Sequence, residues 1–125
     1  MVLGQSKIMA FVGVSDPDRA NAFYRDTLGL RLVSDERPFA LVFDAQGTML
    51  RVTIVKEPAA AGYTVLGWQV SDITATVKEL ASAGVKLERY GGLGQDELGI
   101  WASPSGAKVA WFKDPDGNVL SVTEF

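Results

Sequence analysis

Short apolar runs recur along the chain, separated by Gly, Pro, Ser and Asp, and their spacing switches between two periods. KIMAFVGVSD (7–16) is apolar and β-rich and predicts a strand closed by Ser15-Asp16. Asp16-Pro17 predicts a helix start, with Asp16 as N-cap and Pro17 at the first helical position. Ala20, Phe23, Tyr24, Thr27 and Leu28 then fall at helical spacing, and Gly29 follows as a helix stop. RLVSDE (31–36), FALVFDA (39–45) and TMLRVTIV (48–55) predict three strands, with a hairpin turn at Gln46-Gly47. The order over 7–55 is β-α-β-β-β.

KEPAAAGY (56–63) reads as a linker, because it holds a proline, a run of small residues and a glycine. The pattern then restarts and occupies 64–125. TVLGWQVSD (64–72) predicts a strand, and Asp72 caps a helix on which Ile73, Val77, Leu80 and Ala81 share a face. Gly84 ends that helix. KLERY (86–90) predicts a strand, and AKVAWF (107–112) with NVLSVTEF (118–125) predicts a hairpin. The Gly-rich stretch 91–106 between them is expected to hold one more short strand around Ile100 and Trp101.

The two halves are copies of one another. Val14-Ser15-Asp16 matches Val70-Ser71-Asp72 at an offset of 56, and Leu28-Gly29-Leu30-Arg31-Leu32 matches Ala83-Gly84-Val85-Lys86-Leu87 at 55. Gly47 to Thr53 matches Gly117 to Thr123 at 70. The second copy has therefore lost one residue near its helix and gained a long loop. Each copy is too small to bury a good core alone, so the 125 residues are expected to form one domain. Within the repeat, Asp44-Ala45-Gln46-Gly47 stands where the second copy has Asp114-Pro115-Asp116-Gly117. Both read as turns, so Asp114 and Asp116 are assigned to capping the turn rather than to chemistry.

Composition narrows the chemistry. There is no histidine, which removes the commonest general base and the commonest transition-metal ligand. There is no cysteine, so no disulfide and no thiolate nucleophile. A net charge of -3 with no basic stripe argues against a nucleic-acid partner. No apolar run approaches the ~20 residues of a membrane span. The N-terminal stretch lacks the charged leader and small-residue cleavage site of a secretory signal, so the expected location is cytoplasmic and no membrane partner is expected.

Paired β-α-β-β-β modules, the SDPDRANAFYRDTLGL helix near the start and the closing FKDPDGNVLSV hairpin together resemble the vicinal oxygen chelate superfamily, which includes glyoxalase I, extradiol dioxygenases and bleomycin resistance proteins. The resemblance covers essentially the whole chain. It implies an α+β fold in which two tandem modules, 7–55 and 64–125, form a curved mixed sheet around a concave pocket. It also implies a homodimer. Metal-binding members carry four ligands, one on the first and one on the last strand of each module. Carried over by position, these fall on Met9, Arg51, Val65 and Ser121. None of the four suits a hard divalent cation, and Arg51 would repel one. No metal and no cofactor are therefore expected, and activities that need a metal are not.

If Arg51 faces the pocket, strand alternation brings Met49, Thr53 and Val55 to the same side, and sends Leu50, Val52 and Ile54 under the helices. The same rule turns Met9, Phe11 and Gly13 inward from the first strand, Val65, Gly67 and Gln69 from the fifth, and Val119, Ser121 and Thr123 from the last. The surface so formed is mainly apolar, with Arg51, Gln69, Ser121, Thr53 and Thr123 as polar points, the usual make-up of a small-molecule site. Arg51 has two readings: a guanidinium that grips a carboxylate, phosphate or enolate-like oxygen, or one that pairs with a neighbouring carboxylate. Trp68 belongs on the helix side. Trp101 either walls the pocket or packs, and Trp111 has no face assignable from sequence. Tyr24 belongs to the helix pattern and Tyr63 to the surface. GGLGQDELG (91–99) lacks the strand and helix context of a phosphate cradle and reads as a mobile loop with Asp96 and Glu97 at its tip.

Three functions are compatible with these residues. The first is a metal-free protein that holds a small organic molecule, with Arg51, Met9, Phe11, Val65, Gln69, Ser121, Thr53, Thr123 and Trp101 as the binding set. The second is a metal-independent lyase or isomerase in which Arg51 stabilises an oxyanion. The third is an interaction protein without a ligand.

Overall fold

The computed structural model describes residues 2–125. The chain divides into two compact units, Met1–Ala59 and Ala60–Phe125. Each carries one four-stranded mixed sheet. Among the described residues no helix is long and apolar enough to cross a membrane.

In the first unit a 3-10 turn, Val2–Gln5, precedes β1 (Met9–Val14), α1 (Pro17–Asn21), β2 (Arg31–Glu36), β3 (Ala40–Ala45) and β4 (Thr48–Ile54). The strand order is β1-β4-β3-β2, with β1 and β4 parallel and the other pairs antiparallel. Asp16 caps α1 as its sequence position predicts: its carboxylate accepts from the Asp18 and Arg19 N–H groups at 2.9 and 3.2 Å. The helix then widens into a π-helical segment, Ala22–Thr27, closed by a Leu28 N–H to Phe23 carbonyl bond. Tyr24 is wholly buried there, 6.1 Å from the Phe43 ring on β3. Gln46 and Gly47 both adopt positive φ, the two-residue turn that matches the twist of β3 and β4. The helix-side face carries Val12, Val14, Leu41, Phe43, Leu50 and Val52, all buried.

The second unit holds β5 (Thr64–Gln69), α2 (Ile73–Ser82), β6 (Trp101–Ala102), β7 (Lys108–Lys113) and β8 (Val119–Glu124), in the order β5-β8-β7-β6. Asp72 caps α2 through the Ala75 N–H at 3.0 Å, and Glu124 reaches from the last strand to the Ile73 N–H at 2.9 Å. Ile73 and Val77 are buried on the sheet, whereas Ala81, expected on the same face, is exposed. One strand expectation needs correction. KLERY (86–90) is not a strand: only Leu87 bridges to Phe112, and the Glu88 N–H donates to the Trp111 carbonyl at 2.8 Å. The ladder resumes as β6, two residues long. On β5 the register slips between Thr64 and Leu66, so Val65 has no ladder partner on β8.

Asp114 is buried in the β7–β8 turn and its carboxylate accepts from the Asp116 N–H, the Asn118 N–H and the Asn118 side-chain amide, at 2.9, 2.9 and 2.8 Å. That is the turn-capping role expected of it.

Candidate functional site

Each sheet has one face turned away from its helix, and the candidate binding residues lie there. In the first unit the register places Phe11, Arg51, Val42 and Ser34 in one row across the strands. Met9 and Met49 pair in the row before it, and Gly13, Thr53 and Ala40 in the row after. This face is apolar and open on its β1 side, where Phe11 is 58% exposed and Met9 45%, while Val42 and Ala40 on β3 are buried.

Arg51 is the one cation of that central row, and it is paired. Its guanidinium lies 3.5 Å from the Glu36 carboxylate at the end of β2. A charge-assisted hydrogen bond is usually about 2.7–2.9 Å. The contact is therefore a loose ion pair between half-exposed groups, and it satisfies the second of the two readings of Arg51.

In the second unit the row through Ser121 runs Gly67, Ser121, Trp111, and the next runs Gln69, Thr123, Val109, Trp101. Gly67 stands so close to Ser121 that a β-carbon there would lie 2.8 Å from the hydroxyl oxygen. Only glycine leaves the hydroxyl in place. Beside them the rings of Trp101 and Trp111 lie 6.0 Å apart, and Tyr90 meets Trp111 edge to face at 5.5 Å. Burial, followed by the nearby Glu88 carboxylate, raises the Tyr90 phenol above its ordinary pKa, so it is a hydrogen-bond donor at neutral pH rather than a base. Trp68 is on the opposite face, stacked on Phe112 at 6.3 Å, as alternation requires.

The structure thus gathers Phe11, Arg51, Met9 and Thr53 on one sheet face, and Ser121, Gln69, Thr123 and Trp101 on the other sheet's open face. Val65 stands at the β5 irregularity, outside the ladder. Tyr90 was not among the residues singled out, and Trp111 was named without a face. The length of the Asp-Pro-Asp-Gly-Asn turn decides that face. Lys113 pairs with Val119 across a five-residue loop; four residues would have turned Trp111 to the helix side.

The stretch 91–99, expected to be mobile, is tied down. Arg89 donates to the carbonyls of Asp96 and Glu97. Asp96 caps the Leu98 and Ile100 N–H groups at 2.9 Å each. The Asp96 carboxylate is spent on this loop architecture, to which Glu97 contributes its backbone carbonyl.

The positions carried over as metal ligands supply a thioether, a guanidinium, an alkyl group and a hydroxyl. A divalent cation is held by carboxylate, imidazole or carbonyl oxygen, and this donor set does not fit one. Among the described residues no three or more His, Cys, Asp or Glu side chains cluster in a metal-holding arrangement.

Solved structures share the fold. A lactoylglutathione lyase from Agrobacterium tumefaciens is 22% identical with a TM-score of 0.75, over 95% of this chain and 93% of that one. A glyoxalase family protein from Enterococcus faecalis is also 22% identical, with a TM-score of 0.75, over 98% and 99%. A glyoxalase / bleomycin resistance protein from Catenulispora acidiphila is 21% identical, with a TM-score of 0.70, over 95% and 97%. No curated protein matches. The profile of the Glyoxalase/Bleomycin resistance protein/Dioxygenase superfamily matches residues 7–122. That match spans the first β-α-β-β-β module and all but the last few residues of the second, and the chain belongs to this superfamily.

Proposed function

We propose that this protein binds a small organic molecule without a metal ion, and that the molecule carries a flat aromatic or conjugated group. The observation that carries the reading is the Tyr90, Trp111 and Trp101 cluster beside Ser121 on the open face of the second sheet. Part-exposed aromatic rings beside the hydroxyls of Ser121, itself 7% exposed, and Thr123 suit stacking with a directed hydrogen bond. The apolar face of the first sheet, with Phe11, Met9 and Thr53 around Arg51, supports the same class of ligand. On the first sheet's own face Arg51 would favour a ligand with a carbonyl or carboxylate, whose oxygen would compete with Glu36 for the guanidinium. The prior pairing with Glu36 weakens Arg51 as an oxyanion stabiliser, so a lyase or isomerase is the second reading. A homodimer and a cytoplasmic location belong to the proposal as the resemblance and the composition suggest them.

The test is a thermal-shift and tryptophan-quenching screen with neutral, cationic and carboxylate-bearing aromatic compounds, alongside magnesium, manganese and zinc. A ligand of the folded state raises Tm by mass action. The expected result is a shift with an aromatic compound, lost in Trp111→Ala. Arg51→Met should keep Tm nearly unchanged, because a part-exposed pair contributes ~1 kcal/mol or less. The same variant should weaken any carboxylate-bearing ligand held on the first sheet's face by about tenfold or more, the scale of a lost charged hydrogen bond. A shift with a metal alone would overturn the metal-free reading. Silence across the aromatic compounds would favour an interaction protein without a ligand.

A further inference from the structure

The outer strand of the second sheet is in two pieces. The first ends at Glu88, whose N–H bonds the Trp111 carbonyl. The second is β6, where Trp101 and Ala102 pair with Val109 and Lys108. Between them the chain leaves the sheet at Arg89 and returns at Ile100. A two-residue strand held by its own ladder bonds is a weak element, yet it carries one ring of the aromatic cluster.

One side chain bonds both pieces directly, beside the ties that Arg89 and Asp96 make within the loop. The Gln95 amide nitrogen donates to the Glu88 carbonyl at 3.0 Å and to the Gly99 carbonyl at 2.7 Å. Its amide oxygen accepts from the Tyr90 N–H at 2.7 Å. Gln95 therefore bonds the departing piece twice and the returning piece once. Gly99 completes the fit: its φ is +89°, and a β-carbon there would press to 3.3 Å from the Leu87 side chain. Tyr90 lies two residues beyond Glu88, and Trp101 two residues beyond Gly99. Both rings meet Trp111.

We propose that Gln95 is the positioning residue of the aromatic wall, holding Tyr90 and Trp101 against Trp111 by joining the two pieces of the split strand. No other side chain of its size repeats the set. Glutamate keeps the acceptor for Tyr90 but cannot donate to two carbonyls when ionised, methionine keeps only the length, and asparagine is one methylene short. The consequence for ligand affinity rests on the binding function proposed above; the positioning itself does not.

Two indoles this close give an exciton couplet in far-ultraviolet circular dichroism, and it reads their mutual orientation without any ligand. Trp101→Phe assigns the couplet. In Gln95→Met and Gln95→Glu, measured well below Tm, we expect it to fall at least about twofold while the β-sheet signal stays. Should one variant fail to fold, the other carries the test. A couplet unchanged in a folded variant overturns the proposal, even if Tm is lower, because that would be a merely structural role. A wild-type protein without a couplet overturns it as well. Binding of 2-naphthol, used as a flat neutral probe, should weaken in the same variants. If the wild type ignores this probe while the couplet falls as expected, the binding reading suffers and the role of Gln95 stands.

Discussion

Gly67 on β5 and Ser121 on β8 sit directly opposite each other, with room for a hydroxyl between them and none for a methyl group. The Ser121 backbone oxygen also lies 3.3 Å from where the methyl would be. Gly67→Ala should therefore destabilise by about 1–3 kcal/mol, the range of an overpacked site. Ser121→Ala in the same background removes the shorter contact and leaves the longer one. Denaturant titration of the two single variants and the double variant should show non-additivity, with the double variant more stable than the sum predicts. Strict additivity would mean that the two residues do not meet.

The matched turns should respond unequally. Asp114→Ala strands three donors in a buried turn and should cost about 2–3 kcal/mol. Asp44, its counterpart in the first copy, reaches the Gly47 N–H at only 3.5 Å and pairs with the exposed Arg31 at 3.6 Å. Asp44→Ala should cost under about 1 kcal/mol. Equal losses in urea unfolding would contradict this asymmetry.

Tyr90 gives the pH dependence. Its phenol is raised by burial and then by Glu88, so the folded state holds the proton more tightly than the unfolded chain. The stability linked to it is complete below the ordinary phenol pKa of about 10 and is lost as pH rises from there through the raised value. An ultraviolet titration of the folded protein should show a late-ionising tyrosine that is lost in Tyr90→Phe and moves earlier in Glu88→Gln. A Tyr90 that titrates at its ordinary value would remove burial as the cause.

Much of the fold was legible because the chain states it twice. Asp16 and Asp72 as caps, Gly29 and Gly84 as stops, and the Gln46-Gly47 turn are local signals, and the structure uses each as read. The alternation that sends Leu50 and Val52 under the helix also needed only the period of a strand. What escaped depends on distant pairing. KLERY has strand composition, but the edge beside it on β7 is shared with β6, and only Leu87 finds a bridge. Arg51 was legible as the cation of its face, whereas its pairing with Glu36 is a contact across three strands that no local pattern encodes. The side chains of Gln95 and Asp96 have the composition of any loop, and only their targets reveal an architecture.

The division of that outer strand has a bearing on solubility. A long, flat edge strand offers a row of unpaired backbone groups to any other extended chain. Here the outer edge of the second sheet is two residues of β6, followed at once by Ser103 and Pro104, and the departing piece is a single bridge. The corresponding edge of the first sheet is longer, but β2 is interrupted by a register shift at Val33 and carries Arg31, Asp35 and Glu36. One edge is guarded by brevity and the other by irregularity and charge. Both of these edges are thereby poor templates for fibril growth, so the loop that builds the aromatic wall also blunts the β6 edge of the second sheet.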